Sequence, residues 1–399
     1  MVSKTFCVLP FMHVATNASG NYRVCCNSTP GKNQIRNSKG ESMHLAKDDI
    51  ESVWYSDFYQ DLRKQLINGE RPEMCQRCFS EEDAGVKSSR QSFNEGWYRE
   101  DIDIKVKPER MDVRYVDLRL GNLCNLRCRM CNPYASSQWV KEWNDVIDTA
   151  ELVPNEKLDE SETERLTNMN WFENPMVWQN ISKIADSIEE IYLTGGEPTL
   201  ATKQYDLFQY LHDNKLSANI RLKYNTNLTN IPDQLVWHWH RFKLIKINAS
   251  IDAVGDLDRY VRNPSAWPKI EENFKKLRRL RNTRMQIHST IQTYNVLDLH
   301  KLYDWCDSIM FEDVFLNILN HPKCLNIRTL PKNLKELVCK RLENYQNRPK
   351  VKQMISYMLS EDWYDQRWNE FVAYTNALDK SRNENILELV PEFKNYWHD

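Results

Sequence analysis

From about residue 112 onward, short apolar runs alternate with stretches in which apolar residues recur every three or four positions. The runs predict strands at Val113–Leu120, Glu190–Leu193, Asn219–Tyr224, Leu244–Ile251, Met285–Ile291 and Val314–Leu319. The periodic stretches between them predict helices over Pro175–Ser187, 203–214, 233–241, 267–282 and 298–309. The first of these carries Asn174 as a cap and proline at its first position. Strand and helix in turn are the signature of a parallel β/α sheet or barrel, so the expected class is α/β. The acidic, polar stretch Asp148–Asn170 predicts an excursion or lid.

The flanks read differently. An apolar run over 6–15, turn residues Asn17–Asn21 and a short strand Tyr22–Cys25 predict a hairpin. Trp54, Phe58, Leu62 and Leu66, spaced by four, predict one helix stopped by Gly69 and Pro72. Residues 1–110 are thus expected to form a small, turn-rich α+β domain rich in cysteine, with Glu100–Met111 as its connector to a barrel over 111–325. Beyond Pro331 only helical spacing remains, and 326–399 is expected to be a helical C-terminal extension.

Composition narrows the function classes. Hydrophobic residues make up 41% and aromatics 11% of 399 residues, which excludes a disordered chain. Lys+Arg 54 against Asp+Glu 56 gives a net charge of −2, so no global field draws the chain to nucleic acid or anionic lipid, and neither is an expected partner. No window reaches the ~18–20 apolar residues of a membrane span. Phe6–Ala15 is short for a secretory signal and is interrupted by Cys7, Pro10 and His13, so a cytoplasmic location is expected. There the 11 cysteines stay reduced, and their clusters call for ligands rather than disulfides.

Several features have plain structural readings. The seven basic residues in Lys269–Arg284 read as a solvated helix face. Trp237-His238-Trp239-His240 reads as packed tryptophans with exposed histidines, and Cys306, Cys324 and Cys339 as small buried hydrophobes.

The chemistry concentrates in three places. Cys124, Cys128 and Cys131 form C-x3-C-x2-C directly after a predicted strand. Three thiolates so spaced can wrap one metal cluster; an iron–sulfur cube takes four ligands, and no fourth cysteine follows locally, which leaves one iron open. A zinc knuckle with a distant fourth ligand is the alternative. Leu193-Thr194-Gly195-Gly196-Glu197-Pro198 ends the second predicted strand, and functional residues of β/α barrels sit at such carboxyl ends. Its two glycines permit close approach to the backbone, and the carboxylate can receive an ammonium group.

Together these two motifs resemble the radical S-adenosylmethionine (SAM) superfamily over residues 112–320. The resemblance implies a partial (β/α)6 barrel in which Cys124, Cys128 and Cys131 hold a [4Fe-4S] cluster whose open iron is chelated by SAM. It places Met130 near the adenine, the backbone of Gly195, Gly196 and Glu197 at the methionine end, and Glu197 on the ammonium. Ser250 and Asp252 match the ribose-contacting position, and Arg262 an arginine that pairs with the SAM carboxylate in the peptide-modifying branch. Strand-end caps and a surface charge are the plainer readings of those three residues.

The third place is N-terminal: Cys7, Gly20, Cys25 and Cys75-x2-Cys78. Four thiolates from a hairpin and a C-x2-C can enclose zinc or a cluster. Cys26 could replace Cys25, but strand neighbours point to opposite faces, which favours Cys25. The pattern resembles the twitch domain, a half-length SPASM domain carrying one auxiliary [4Fe-4S] cluster, although relatives mostly place it after the barrel.

The resemblance implies reductive cleavage of SAM to a 5′-deoxyadenosyl radical that takes a hydrogen atom from a substrate, with the auxiliary cluster assisting an oxidation. A peptide or protein is the first expected substrate and a small sugar or nucleotide the second; a flavodoxin- or ferredoxin-type protein would supply electrons. A non-catalytic iron–sulfur electron carrier and a zinc-stapled binding protein are the alternatives. By position alone, Arg119, Asn225, Asn227, Gln292, Asn320 and His321 are expected at the mouth of a substrate pocket.

Overall fold

The computed structural model describes residues 3–29, 31–150 and 157–397. It has the α/β class expected, with strands β1 (His13–Thr16), β2 (Tyr22–Arg23), β3 (Tyr115–Arg119), β4 (Glu190–Thr194), β5 (Arg221–Thr226), β6 (Leu244–Ser250), β7 (Thr283–Ile291) and β8 (Val314–Ile318). Every strand foreseen after residue 112 is present, its ends within two residues of expectation. The chain divides into two compact units: residues 1–121, 169–224 and 232–245 form the first, and 122–168, 225–231 and 246–399 the second.

In the first unit the strands run in the order β2-β1-β3-β4-β5. β1 and β2 form the expected antiparallel hairpin, and β1 then pairs in parallel with β3, so the N-terminal segment extends the sheet. Val116, Leu118, Ile191, Leu193, Leu222 and Tyr224 are buried on one face. The helix Pro175–Ser182 starts where its signals placed it, with the Asn174 side chain accepting from the Met176 amide at 3.0 Å. It fixes the N-terminal segment through Asn180, which donates to the carbonyls of Leu45 and Asp48.

The single helix through Trp54 and Leu66 is two, Ile50–Trp54 and Asp57–Ile67, because Ser56 caps a new start by accepting from the Tyr59 amide. The break frees the Trp54 carbonyl to accept from the fully buried Arg63, whose guanidinium lies 4.4 Å from the Trp54 ring and also donates to the Pro10 carbonyl. In the helix Asp233–Trp239, Trp239 is buried and His240 exposed as expected, but Trp237 is 46% exposed and His238 is buried. The His238 ring stacks between Tyr205 and His212, an aromatic slot that suits an imidazole.

In the second unit β7 and β8 pair in parallel, from Ile287 opposite Val314 to Ile291 opposite Ile318. The helix Trp267–Arg278 buries Ile270, Phe274 and Leu277 and turns most of its basic side chains to solvent. Residues 151–156 of the expected excursion lie outside the described residues. The rest is packed chain, since Glu160–Thr167 is a helix capped by Asp159, with Leu158 and Leu166 buried. The C-terminal segment is helical as expected, over Lys332–Arg341, Val351–Ser360 and Tyr364–Arg382, and the last of these packs on the helix Trp143–Thr149. Cys306 and Cys324 are buried, but Cys339, on the outer side of the helix Lys332–Arg341, is only half-buried. Among the described residues no helix is long and apolar enough to cross a membrane.

Candidate functional site

The loop after β3 carries the three clustered cysteines in the second unit. Cys124 and Cys128 are buried, Cys131 is half-buried, and they gather around Leu126 and Met130. Local bonds shape this loop: the Cys131 amide donates to the Cys128 carbonyl at 2.9 Å, and the Cys124 amide to Ser137 Oγ at 3.3 Å. Trp139 Nε1 donates to the Cys128 carbonyl at 2.9 Å. The loop is also tied to the segment after β6, with the Arg127 and Arg129 amides donating to the carbonyls of Asn263 and Val261.

Arg129, between two of the cysteines, is the residue sequence reasoning missed. Its side chain is fully buried, with NH2 at 2.5 Å from Asp379 and 2.7 Å from Glu384, and its guanidinium lies 3.5 Å from the Tyr260 ring. Tyr374 donates to the Arg129 carbonyl at 2.9 Å. Arg127 in turn pairs with Glu142 at 2.8 Å, and Glu142 also pairs with the buried Arg382. The C-terminal helix therefore holds the cysteine loop through ion pairs that neither segment can make alone.

Arg262 and Asp252 lie beside the same loop. Arg262 is buried, stands 2.8 Å from Asp252 and directs NH1 toward Cys128 Sγ at 4.0 Å. Asp252 accepts from the Thr290 amide, and its carbonyl accepts from Asn295. Burial pushes the Asp252 carboxyl and the Cys128 thiol up, and Arg262 pulls both the other way. The surface charge considered for Arg262 is thus an internal ion pair. Ser250 is half-buried at the end of β6. Gln292, after β7, is 0% exposed and both its amide atoms lack a hydrogen-bond partner. A buried amide unsatisfied at both ends marks a place where a polar ligand or water belongs.

The glycine-rich turn lies in the first unit. Gly195 has φ +99°, and a Cβ there would stand 2.6 Å from the Leu120 amide nitrogen and 2.9 Å from the Gly121 carbonyl. The close approach that requires glycine is thus made by the chain itself, and the Gly196 amide donates to the Gly121 carbonyl at 3.2 Å. Glu197 is 2% exposed and caps the turn Pro198–Leu200, accepting from the Thr199 amide and from Thr199 Oγ1 at 2.7 Å.

The N-terminal cysteines also lie in the first unit. Cys7, Cys25, Cys75 and Cys78 line one largely apolar pocket with Leu9, Val24, Phe93 and Arg90, while exposed Cys26 lines a separate polar one. Burial raises all four thiols, Cys75 to about 12. The loop after β2 is closed by Ser28, whose hydroxyl donates to the Cys25 carbonyl at 2.6 Å. Among the described residues no three Cys, His, Asp or Glu side chains converge on a point that a single metal ion could occupy.

Of the remaining candidates, Asn225 accepts from Asn248 at 2.7 Å and Asn227 donates to Asn125 of the cysteine loop at 3.0 Å. Arg119 is half-buried at the end of β3. Asn320 and His321 are exposed, and Asn320 accepts from Tyr357.

Residues 118–306 match the radical SAM superfamily. No curated protein matches the chain in sequence. Among solved structures it is similar to native anSMEcpe with bound AdoMet, at 15% identity and TM-score 0.37, over 61% of this chain and 60% of that one. It is also similar to Streptococcus suis SuiB bound to the precursor peptide SuiA, at 14% identity and TM-score 0.35, over 67% of this chain and 59% of that one. A third is TYW1 with a lysine-pyruvate adduct bound, at 15% identity and TM-score 0.30, over 57% of this chain and 72% of that one. The chain spans less than two thirds of the length of the first two.

Proposed function

Starting from a radical SAM domain at residues 118–306, we propose that the chain is an enzyme that cleaves SAM reductively and takes a hydrogen atom from a substrate. Cys124, Cys128 and Cys131 would hold a [4Fe-4S] cluster, and such a cluster with SAM supplies the electron transfer that yields a 5′-deoxyadenosyl radical. The observation that carries the reading is the loop itself: Cys124, Cys128 and Cys131 pack in one small cluster with Leu126 and Met130, no fourth cysteine follows in the loop, and the buried Arg262 places NH1 4.0 Å from Cys128 Sγ.

The chain's own residues bind and orient. By the family resemblance Met130 would lie near the adenine, and Gly195, Gly196 and Glu197 would serve the methionine end. Ser250 and Asp252 would meet the ribose. Asp252 also holds Arg262 in place, so that the guanidinium reaches the SAM carboxylate without losing its counter-ion. Burial of Cys124 and Cys128 and the packing of Trp139 and Leu126 keep water from the loop, which protects a reactive intermediate.

In this reading residues 1–110 form an auxiliary-cluster module of the twitch type, 111–325 the partial barrel and 326–399 a helical extension. Cys7, Cys25, Cys75 and Cys78 would carry a second [4Fe-4S] cluster, supported by the one pocket that all four line. With all four irons held by protein thiolates, that cluster suits removal of an electron from the substrate. A peptide or protein is the favoured substrate, because the Asp252–Arg262 pair fits the pattern of the peptide-modifying branch. A flavodoxin- or ferredoxin-type protein would reduce the chain.

The test is anaerobic reconstitution with iron and sulfide. The reading expects about eight irons per chain, two four-iron clusters, and about four in Cys75→Ser/Cys78→Ser, which should still cleave SAM. Zinc in place of iron at the N-terminal site would refute the auxiliary assignment. Full iron without SAM cleavage would favour an electron carrier.

A further inference from the structure

Among the described residues that line the pocket of Cys7, Cys25, Cys75 and Cys78, Arg90 alone is a cation, and none is a carboxylate. Arg90 is buried, and every nitrogen of its guanidinium is engaged. Nε donates to Glu82 Oε1 at 2.9 Å, NH2 to the other oxygen of Glu82, and NH1 to the Phe6 carbonyl. The centre of the Phe79 ring lies 5.2 Å from the guanidinium carbon. Glu82 belongs to the helix Gln76–Asp83, which also carries Cys78, and Arg90 to the helix Ser89–Trp97. Ser88, the N-cap of the second helix, donates its hydroxyl to Glu82 as well. Burial works against the charge on Glu82, yet Arg90 and Ser88 hold its carboxyl below the usual range. The pair is therefore ionised and oriented, because its cation belongs to the pocket wall and its anion does not.

Backbone groups act in the same sense. Burial favours the neutral thiol at each cysteine, and the Arg90 amide opposes it at Cys78, the Leu9 amide at Cys7, and the Asn27 and Ser28 amides at Cys25. Glu81 and Glu82 side with burial at Cys78. A four-iron cube held by four thiolates is an anion, and reduction adds one negative charge to it. A cation fixed in an apolar wall favours the more negative form, and so do N–H groups directed at the sulfurs.

We propose that Arg90, locked in place by Glu82 and the Phe6 carbonyl, is the positioning residue that raises the reduction potential of a cluster held by these four thiolates and so fits it to accept an electron. Glu82 tempers the effect, because it stands behind the cation with the opposite charge. The inference rests on the auxiliary-cluster reading and names the residue that sets the cluster's role within it.

The experiment is a potentiometric titration of the full-length, reconstituted chain followed by electron paramagnetic resonance, in which the N-terminal signal is the one missing from Cys75→Ser/Cys78→Ser. Arg90→Gln should favour the oxidised cluster about tenfold, a fall of ~59 mV for a one-electron couple. Glu82→Gln should move the midpoint upward, and Arg90→Lys should keep it near the wild-type value. A merely structural role for the ion pair would shift both glutamine variants in the same direction, since each breaks the same contact. Shifts of one sign, or a wild-type midpoint in Arg90→Gln, overturn the proposal. Should Arg90→Gln fail to hold iron, a midpoint that does not rise in Glu82→Gln overturns it. Zinc, or no iron, at the N-terminal site of the wild-type chain would sink the auxiliary-cluster reading itself, whereas a full complement of iron with unshifted midpoints sinks the role of Arg90 alone.

Discussion

Replacing Arg129 tests how the C-terminal helix holds the cysteine loop. Arg129→Met keeps most of the side-chain volume and removes the cation that joins Asp379 and Glu384. Removing one partner of a buried ion pair costs about 3–5 kcal/mol. The two carboxylates retain some support, Asp379 from the Tyr260 hydroxyl and the Ile386 amide and Glu384 from Asn263, so the lower end of that range applies. A local cost of ~3 kcal/mol corresponds to a rise of roughly 150-fold in the opening equilibrium, at 1.36 kcal/mol per factor of ten. The assay is hydrogen exchange at the Arg127, Arg129 and Cys131 amides, all bonded to backbone carbonyls in the closed loop. Exchange should quicken there by that factor, with strands β7 and β8 unaffected, and iron should be lost faster on exposure to chelator. Unchanged exchange at all three amides would refute the idea that this ion-pair cluster anchors the loop. Combining Arg129→Met with Asp379→Asn and Glu384→Gln should recover part of the loss, because no buried charge then lacks its partner.

Three further outcomes are expected. Gly195→Ala forces a side chain into φ +99° and against the Leu120 amide, so it should cost at least ~1–3 kcal/mol and lower the denaturant midpoint; an unchanged midpoint would contradict the close approach described here. Cys25→Ser should lose the iron of the N-terminal site whereas Cys26→Ser should keep it, and equal loss in both would exclude the pocket as its boundary. His13 is held neutral by burial and by Arg23, its pKa lowered to about 3. The unfolded chain therefore binds a proton below about pH 6.5 that the folded chain refuses, and stability should fall as pH drops from there toward 3. His13→Phe should flatten that acid limb in unfolding curves, and an NMR midpoint for His13 near 6.5 would refute the assignment.

Strand positions were readable because each apolar run is local, and so was the cysteine loop, whose spacing is itself the signal. What lay beyond reach depends on distant partners. Arg129 looks like one charge in a polar loop until Asp379 and Glu384, some 250 residues later, close around it. The split of the N-terminal helix at Ser56 could have been found, since a serine preceding Asp57 and Phe58 is a capping signal that the four-residue spacing of apolar positions concealed. His238 and Trp237 exchanged roles because the slot that takes the imidazole is built by Tyr205 and His212 on another helix. Asp117, Arg119, Tyr192 and Lys223 alternate visibly with apolar neighbours, yet only strand register shows that they adjoin.

A direct test of the proposed role of Cys124, Cys128 and Cys131 is the product of SAM cleavage. Reduced, reconstituted protein incubated with SAM should yield 5′-deoxyadenosine by mass spectrometry, and Cys128→Ala, with its fold verified by circular dichroism, should yield none. Formation of 5′-deoxyadenosine at the wild-type rate by Cys128→Ala, or its absence from fully iron-loaded wild-type protein, would rule out that role.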